Sequence, residues 1–308
     1  MARRWARSAG TAFIVYVGFL AGCAAPEPLA APSSETLQAA LDRILFDPES
    51  TCEELQAEFG AWNLPLVNDP SELGLMYEDV RVVTDDGETL RVWLLPADAA
   101  RGLVVLSIGN SGELPCYLFT AQIAIGAGFS VAMVEPRGFG ESTGVPSVEH
   151  LADDLEVAAE WARSATGEPA VALMGVSLGT VASAAVAARR PDLVSAVVLD
   201  SPLVLAAQFE RLEPVFGANT TQVLGLLDPE WEVDVQVARS TQPLLVLSGS
   251  SDVLTPAIDA QRVYDASISA ERAIVFFPNA GHARGQFLYT AWYTDILAEF
   301  LEKTRPQR

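Results

Sequence analysis

Short apolar runs alternate with longer segments of helical periodicity through most of the chain. Six runs of five to seven residues each predict a buried strand, and two further runs on either side of Asp-Asp-Gly at 85–87 predict a β-hairpin. The predicted strands cover residues 77–84, 88–95, 103–108, 130–135, 170–176, 194–200, 243–248 and 273–277. Apolar residues recur every three or four positions in the predicted helices 115–127, 148–164, 179–189 and 292–303. This alternation indicates an α/β fold, with about eight strands in a mostly parallel sheet and helices on both faces.

Two segments precede the predicted sheet. Prolines among alanines and serines predict a flexible tether over residues 23–36. Leucines at helical spacing then predict a helical extension over 37–74. We interpret this extension as a cover for the core, with gating of a functional site as the alternative. The predicted α/β domain spans 75–303, and its one long passage without the alternating pattern is 203–240.

The composition is that of an acidic chain with a large core. Half of the 308 residues are hydrophobic, which is enough to build one large α/β domain. The formal net charge of -21 excludes nucleic acid as an expected partner. We interpret the many carboxylates as a solvated surface, and a field that repels anionic substrates is the alternative.

At the N-terminus, three arginines precede the apolar run 11–20, and Leu-Ala-Gly then leads into Cys23. This pattern resembles a bacterial lipoprotein signal. The resemblance implies cleavage of residues 1–22, a diacylglyceryl thioether on Cys23 and acylation of the new N-terminus. Several acyl chains hold a protein durably on a membrane, so the implied location is the bacterial cell envelope. An uncleaved membrane anchor is the alternative, and the small residues before Cys23 favour cleavage.

Two further cysteines, Cys52 and Cys116, remain once Cys23 carries lipid, and the implied envelope location permits their oxidation. A bridge between them would join the helical extension to the loop after the third predicted strand. A disulfide and a pair of buried free thiols both stay open as interpretations, because the two leave the same pattern in a sequence.

One serine stands at the junction of a predicted strand and a predicted helix. The apolar run 170–176 ends in Gly-Val, Ser177 follows, and a leucine and Gly179 open the next helix. A sharp strand-turn-helix corner pushes such a hydroxyl above the sheet edge, and the flanking glycines let the two elements pass closely. The stretch resembles the nucleophile elbow of the α/β-hydrolases. The same Gly-x-Ser-x-Gly pattern surrounds Ser142, but a proline follows it where a helix should begin, so we interpret Ser142 as a loop residue.

A serine hydroxyl needs a base to become a nucleophile and a carboxylate to orient that base. His282 follows the last predicted strand, in a turn at the carboxyl edge of the sheet, whereas His150 lies on the polar face of a predicted helix beside two aspartates. We therefore predict His282 as the base. For the acid, Asp252 stands in Gly-Ser-Ser-Asp-Val-Leu-Thr-Pro, which resembles the family's Gly-x-x-Asp-x-x-x-Pro turn, and the order Ser177, Asp252, His282 is the one this superfamily follows. Asp200, at the end of the preceding strand, is the alternative acid.

Two backbone N–H groups are predicted to stabilise the oxyanion of a tetrahedral intermediate. One belongs to Leu178, at the start of the helix after the candidate nucleophile. The other belongs to Asn110, in Ile-Gly-Asn-Ser-Gly after the first parallel strand, which resembles the His-Gly-Asn-x-Gly loop of relatives with Ile108 in place of the histidine. Arg137 lies in Arg-Gly-Phe-Gly-Glu-Ser, which resembles another turn of the family, and we interpret this arginine as structural.

Together these motifs resemble single-domain serine hydrolases of the α/β-hydrolase superfamily with short lids, relatives of monoglyceride lipases and of prolyl-peptidase catalytic domains. The resemblance implies that residues 203–240 are the lid, whose apolar side chains either line an acyl pocket or pack on the sheet. It also implies hydrolysis of a carboxylic ester or thioester in a small acyl substrate, with no cofactor and no metal. A peptidase or amidase of the same fold and a non-catalytic binding protein of the envelope are the alternatives.

Overall fold

A computed structural model describes residues 41–43, 45–59, 65–110, 112–211, 221, 224–225 and 227–305. The predicted signal peptide, the tether and Cys23 lie outside the described residues, as does part of the predicted lid. No helix in these ranges is long and apolar enough to span a bilayer.

The described residues build one eight-stranded sheet. Its strands are β1 Glu78–Val83, β2 Thr89–Leu95, β3 Leu103–Ser107, β4 Ser130–Val134, β5 Val171–Val176, β6 Val194–Asp200, β7 Leu244–Gly249 and β8 Arg272–Phe277. Their order across the sheet is β1-β2-β4-β3-β5-β6-β7-β8. β2 pairs antiparallel with β1 and β4, and all the other pairs are parallel. The predicted α/β fold is confirmed, and each predicted strand ends within one residue of its observed bounds.

Helices connect the parallel strands and precede the sheet. In the described ranges they are α1 Cys52–Phe59, α2 Leu118–Gly126, α3 Leu151–Thr166, α4 Gly179–Arg189, α5 Leu205–Arg211, α6 Val233–Val237, α7 Ala257–Ala266, α8 Gly285–Leu288 and α9 Thr290–Thr304. Short 3-10 turns, Leu114–Tyr117 and Val148–His150, lead into α2 and α3. The sequence did not predict α7, because its buried residues are a short, partly polar set, namely Asp259, Ala260 and Val263.

The hydrophobic core lies on both faces of the central strands. β3 and β5 are buried along their whole length, which explains why the sequence of each is dominated by apolar residues. Leu41, Leu45 and Phe46 of the extension are buried in the same core. Phe209, in the described part of the predicted lid, is also buried there. Both added segments therefore contribute to the core.

Candidate active site

Ser177 occupies the sharp turn between β5 and α4. Its φ is 53°, a left-handed conformation that residues other than glycine rarely adopt. Two glycines make the turn sterically feasible, because a Cβ at Gly175 would lie 2.4 Å from the carbonyl oxygen of Gly179, and a Cβ at Gly179 would lie 2.3 Å from that of Ser107. Ser177 therefore stands at the carboxyl end of a buried strand and at the amino end of a helix.

A chain of hydrogen-bond distances joins Ser177 to His282 and Asp252. Ser177 Oγ lies 2.9 Å from His282 Nε2, although 105 residues separate the two along the sequence. His282 Nδ1 lies 2.9 Å from Asp252 Oδ2. Only 11% of the His282 side chain and none of the Asp252 side chain is exposed. A hydroxyl, an imidazole and a carboxylate in this order have the geometry for transfer of the serine proton to the histidine.

The turn after β7 holds Asp252 in place. Its Oδ1 accepts hydrogen bonds from the backbone N–H groups of Leu254 and Thr255, both at 2.9 Å, and Thr255 Oγ1 donates to Oδ2 at 2.8 Å. Burial raises the pKa of Asp252, but the hydrogen bond and charge of His282 and the hydrogen bonds of Thr255 outweigh burial and bring the pKa below its ordinary value. The carboxylate is therefore ionised next to the imidazole.

Asp200, the alternative acid, is engaged by other groups. Tyr293 Oη donates to Asp200 Oδ2 at 2.8 Å, and Ser201 Oγ donates to Oδ1 at 3.2 Å. The backbone carbonyl of Asp200 accepts the N–H of Ser177 at 2.9 Å, and Ser201 Oγ accepts the N–H of Ala283 at 2.9 Å. Asp200 and Ser201 thus connect the turn of the candidate nucleophile with the turn of the candidate base, which is a positioning role.

Replacing Asp200 with asparagine is expected to stabilise the protein most at alkaline pH. Burial raises the pKa of Asp200 to about 6, against the opposing hydrogen bond of Tyr293. A carboxyl whose pKa rises on folding stabilises the fold while it is protonated, so its contribution falls as the pH rises from about 4 to about 6 and stays lost above that. Thermal unfolding should show Asp200→Asn raising the free energy of unfolding by roughly 1–3 kcal/mol at pH 8 and by less at pH 5. An equal change at both pH values would contradict this explanation.

The two predicted oxyanion donors approach the site from different elements. Leu178 is the N-cap residue of α4, at the end where the helix dipole is positive. Asn110 follows β3 and lines the same cavity as Ser177 and His282. The Asn110 carbonyl, which belongs to the peptide unit after the predicted donor, accepts the N–H of Asp47 at 2.7 Å, so the N-terminal extension contacts the backbone next to that donor.

Two polar side chains of the site escape prediction from the sequence. Thr255 Oγ1 lies 3.1 Å from His282 Nδ1. The sequence feature that could have indicated Thr255 is its position in the same turn as Asp252. Tyr117 lines the cavity, and burial raises the pKa of its phenol. Its hydroxyl lies close to the loop after β3, since a Cβ at Gly109 would lie 2.8 Å from Tyr117 Oη. Tyr117 leaves no signal, because it meets Gly109 only after the chain has folded.

The remaining polar candidates are bonded elsewhere. His150 Nδ1 lies 3.8 Å from Asp153 Oδ2 at the exposed start of α3. Ser142 Oγ donates to a backbone carbonyl and accepts a backbone N–H, both at 2.8 Å, which makes it part of a loop. Arg137 is buried and forms an ion pair with Asp154 at 2.7 Å. These contacts support the interpretation of Ser142 as a loop residue, of Arg137 as structural and of His150 as an ion-paired surface residue.

A cavity of about 130 Å³ lies beside Ser177 and His282. Its mostly apolar lining includes residues of α1, α2, α8 and the segments next to them, such as Leu55, Leu66, Pro115, Phe119 and Phe287. Cys52 and Cys116, joined by an S–S bond of 2.05 Å, also line it. Over the described ranges, the extension, α2 and α8 contribute to this wall, and the predicted lid supplies none of it. Among the same residues, no three His, Cys, Asp or Glu side chains are grouped as metal ligands.

The chain is similar to known proteins over most of its length. A family model described as alpha/beta hydrolase fold matches residues 108–242. An uncharacterized protein of Mycobacterium tuberculosis is 31% identical over 231 residues, which are 73% of this chain and 79% of that one. The alpha/beta hydrolase domain-containing protein WAV2 of Arabidopsis thaliana is 28% identical over 259 residues, which are 78% of this chain and 83% of that one. Among solved structures, an esterase of Pyrococcus furiosus matches with a TM-score of 0.67 at 17% identity, over 79% of this chain and 98% of that one.

Proposed function

The chain belongs to the α/β hydrolase family, and on that premise we propose that it is a serine hydrolase that cleaves carboxylic esters or thioesters through an acyl-enzyme on Ser177. The observation that carries the proposal is the 2.9 Å distance between Ser177 Oγ and His282 Nε2, together with the 2.9 Å distance between His282 Nδ1 and Asp252 Oδ2. The Pyrococcus furiosus neighbour is named as an esterase, which agrees with this choice of bond.

In the proposed reaction, His282 Nε2 accepts the proton of Ser177 Oγ as that oxygen attacks the substrate carbonyl carbon. The electron pair of the carbonyl bond moves to its oxygen, and the N–H groups of Leu178 and Asn110 hold the oxyanion. His282 then gives its proton to the departing alkoxide or thiolate, which leaves Ser177 acylated. Water, deprotonated by His282, attacks the acyl carbon. The bond between that carbon and Ser177 Oγ then breaks, His282 returns its proton to Ser177 Oγ, and the carboxylic acid leaves. Asp252 keeps Nδ1 protonated and the ring oriented through both steps.

Known magnitudes indicate how much each of these groups would contribute to catalysis. Proton transfer by a positioned histidine contributes about 10²–10⁴ in rate, and loss of one oxyanion donor removes about 10²–10³. The positive end of α4 adds to the stabilisation of negative charge at Ser177. The buried carboxylate of Asp252 stabilises the imidazolium that forms during the attack.

A pair of substrates with the same acyl group tests this function. p-Nitrophenyl butyrate and N-butyryl-p-nitroaniline differ only in the bond that is cleaved, and both release a coloured product. We expect kcat/KM for the ester to exceed that for the anilide by roughly 10²-fold or more. Faster cleavage of the anilide would favour a peptidase or amidase, and turnover of neither substrate would favour the non-catalytic binding protein.

We also propose that lipid on Cys23 anchors the chain to a membrane of the bacterial cell envelope. Support comes from the sequence of residues 1–23, namely three arginines, an apolar run and Leu-Ala-Gly-Cys. Growth with an alkyne analogue of palmitate is expected to label the chain. Cys23→Ser is expected to remove the label, because the thiol that carries the lipid is absent. Equal labelling of both chains would contradict the assignment.

A further inference from the structure

The cavity beside Ser177 shares a wall with a second cavity. The second cavity has a volume of about 570 Å³ and a more polar lining, which includes the carboxyl side chains of Glu53, Asp69, Glu113 and Glu141. Five residues line both cavities, namely Cys52, Leu66, Val67, Pro115 and Cys116. The disulfide between Cys52 and Cys116 therefore lies in the partition between the catalytic cavity and the larger one.

Local contacts hold the α1 side of this partition. The Thr51 N–H donates to Glu54 Oε2 at 3.0 Å, and the Glu54 N–H donates to Thr51 Oγ1 at 3.2 Å, a reciprocal pair that fixes the start of α1. Leu55 meets the loop after β3 at Gly112, where a Cβ would lie 2.7 Å from Leu55 Cδ1 and 2.8 Å from Cys116 Sγ. The disulfide then ties α1 covalently to the turn before α2. The partition is therefore a built part of the fold.

The volume of the catalytic cavity limits the length of an acyl chain. A dry cavity of about 150 Å³ in another protein is large enough to bind benzene. The 130 Å³ next to Ser177 therefore holds roughly six non-hydrogen atoms. While a chain still fits, each added methylene raises kcat/KM by roughly four-fold through burial.

We propose that the Cys52–Cys116 disulfide sets the acyl length of the substrate by closing the catalytic cavity against the second cavity. The inference rests on the proposed hydrolase function and adds a substrate class to it, esters or thioesters of short-chain fatty acids with up to about six carbons. Opening of the partition lets longer chains extend past Leu66 and Val67 into the second cavity.

Full-length wild type and the Cys52→Ala/Cys116→Ala double variant are compared on p-nitrophenyl esters with acyl chains of two to twelve carbons. Wild-type kcat/KM is expected to peak at about four to six carbons and to fall roughly ten-fold or more by ten carbons. In the double variant, the ratio of kcat/KM for the ten-carbon ester to that for the four-carbon ester is expected to rise about ten-fold. Fluorophosphonate labelling of each variant reports whether Ser177 is still reactive.

A second variant opens the same wall with the disulfide intact. Leu66 lines both cavities and is 53% exposed, so Leu66→Ala is expected to shift the ratio in the same direction with little loss of stability. Leu288→Ala is the matched control, because Leu288 is 51% exposed and is absent from the described lining of both cavities. Its acyl-length profile is expected to equal that of the wild type.

Three results overturn the inference, and one of them also overturns the proposed function. A wild type that is active on the four-carbon ester, with the same ratio in the double variant and in Leu66→Ala, shows that the partition does not set acyl length. A wild type whose kcat/KM is highest for the ester with ten or twelve acyl carbons also shows that the partition does not set acyl length. Both of these results leave the hydrolase proposal standing. A wild type that hydrolyses none of the esters overturns the proposed function itself.

Discussion

Substitution of Ser177 by alanine is expected to lower kcat for p-nitrophenyl butyrate by about 10⁵–10⁶-fold. The variant lacks the oxygen that lies 2.9 Å from His282 Nε2, so no acyl-enzyme forms. Any residual rate comes from the oxyanion donors and from substrate binding. Steady-state release of p-nitrophenol measures the loss, and circular dichroism of the same preparation shows that the variant is folded.

Ser142→Ala is the matched control, because Ser142 stands in the same Gly-x-Ser-x-Gly pattern. Its hydroxyl accepts the N–H of Arg91 and donates to the carbonyl of Glu135, both at 2.8 Å, within a buried loop. The variant is expected to lose about 1–3 kcal/mol of stability, since buried backbone groups lose their partner, and to keep its kcat within about three-fold. A folded Ser142→Ala variant without activity, together with an active Ser177→Ala variant, would show that the nucleophile is Ser142 and not Ser177.

Substitution of Asp252 by asparagine is expected to lower kcat/KM by about 10³–10⁴-fold. Asp252 Oδ2 lies 2.9 Å from His282 Nδ1, and in the proposed mechanism it keeps the ring proton on that nitrogen. The amide NH₂ of asparagine in this place would donate to Nδ1 and so favour the tautomer with its proton on Nε2. In that tautomer, Nε2 cannot accept the proton of Ser177. The measurement is kcat/KM for p-nitrophenyl butyrate, together with the melting temperature of the variant.

Asp200→Asn makes the same atomic change in the second buried aspartate near the site. The described hydrogen bonds of the Asp200 carboxyl are with Tyr293 and Ser201, so it acts on His282 through the neighbouring turns and through charge, without a hydrogen bond to the ring. We therefore expect kcat/KM to fall by less than about ten-fold. A large loss in Asp200→Asn with a small loss in Asp252→Asn would reverse the assignment of the acid.

The sheet could be predicted because buried parallel strands leave a strong local signal. β3 and β5 are covered on both faces, so each position carries an apolar residue and the ends of the run are the ends of the strand. Such a run can be recognised from the local sequence, without knowing which distant residues pack on the strand. α7 escaped prediction because its face toward the core includes Asp259, which pairs with Arg211 at 2.6 Å and is buried through that pairing.

The candidate site could be predicted from its positions at strand ends. The turns after β5, β7 and β8 meet because carboxyl ends of parallel strands share one edge of the sheet, so motifs in those turns converge. The apolar wall of the cavity could not be predicted in this way. A helical stripe such as that of Leu55 shows that α1 buries one face and does not show which surface receives it. The contact of Leu55 with Gly112 and the pairing of Cys52 with Cys116, 64 residues away, depend on the folded chain.

Covalent labelling of the native protein with a fluorophosphonate tests the central claim most directly. The reagent reacts with a serine that a neighbouring base has activated, and His282 Nε2 lies 2.9 Å from the Ser177 hydroxyl. Intact-mass spectrometry is expected to show one adduct per chain, peptide mapping to place it on Ser177, and prior denaturation to prevent it. A native chain that stays unmodified, or one that carries its adduct on another serine such as Ser142, would contradict the account.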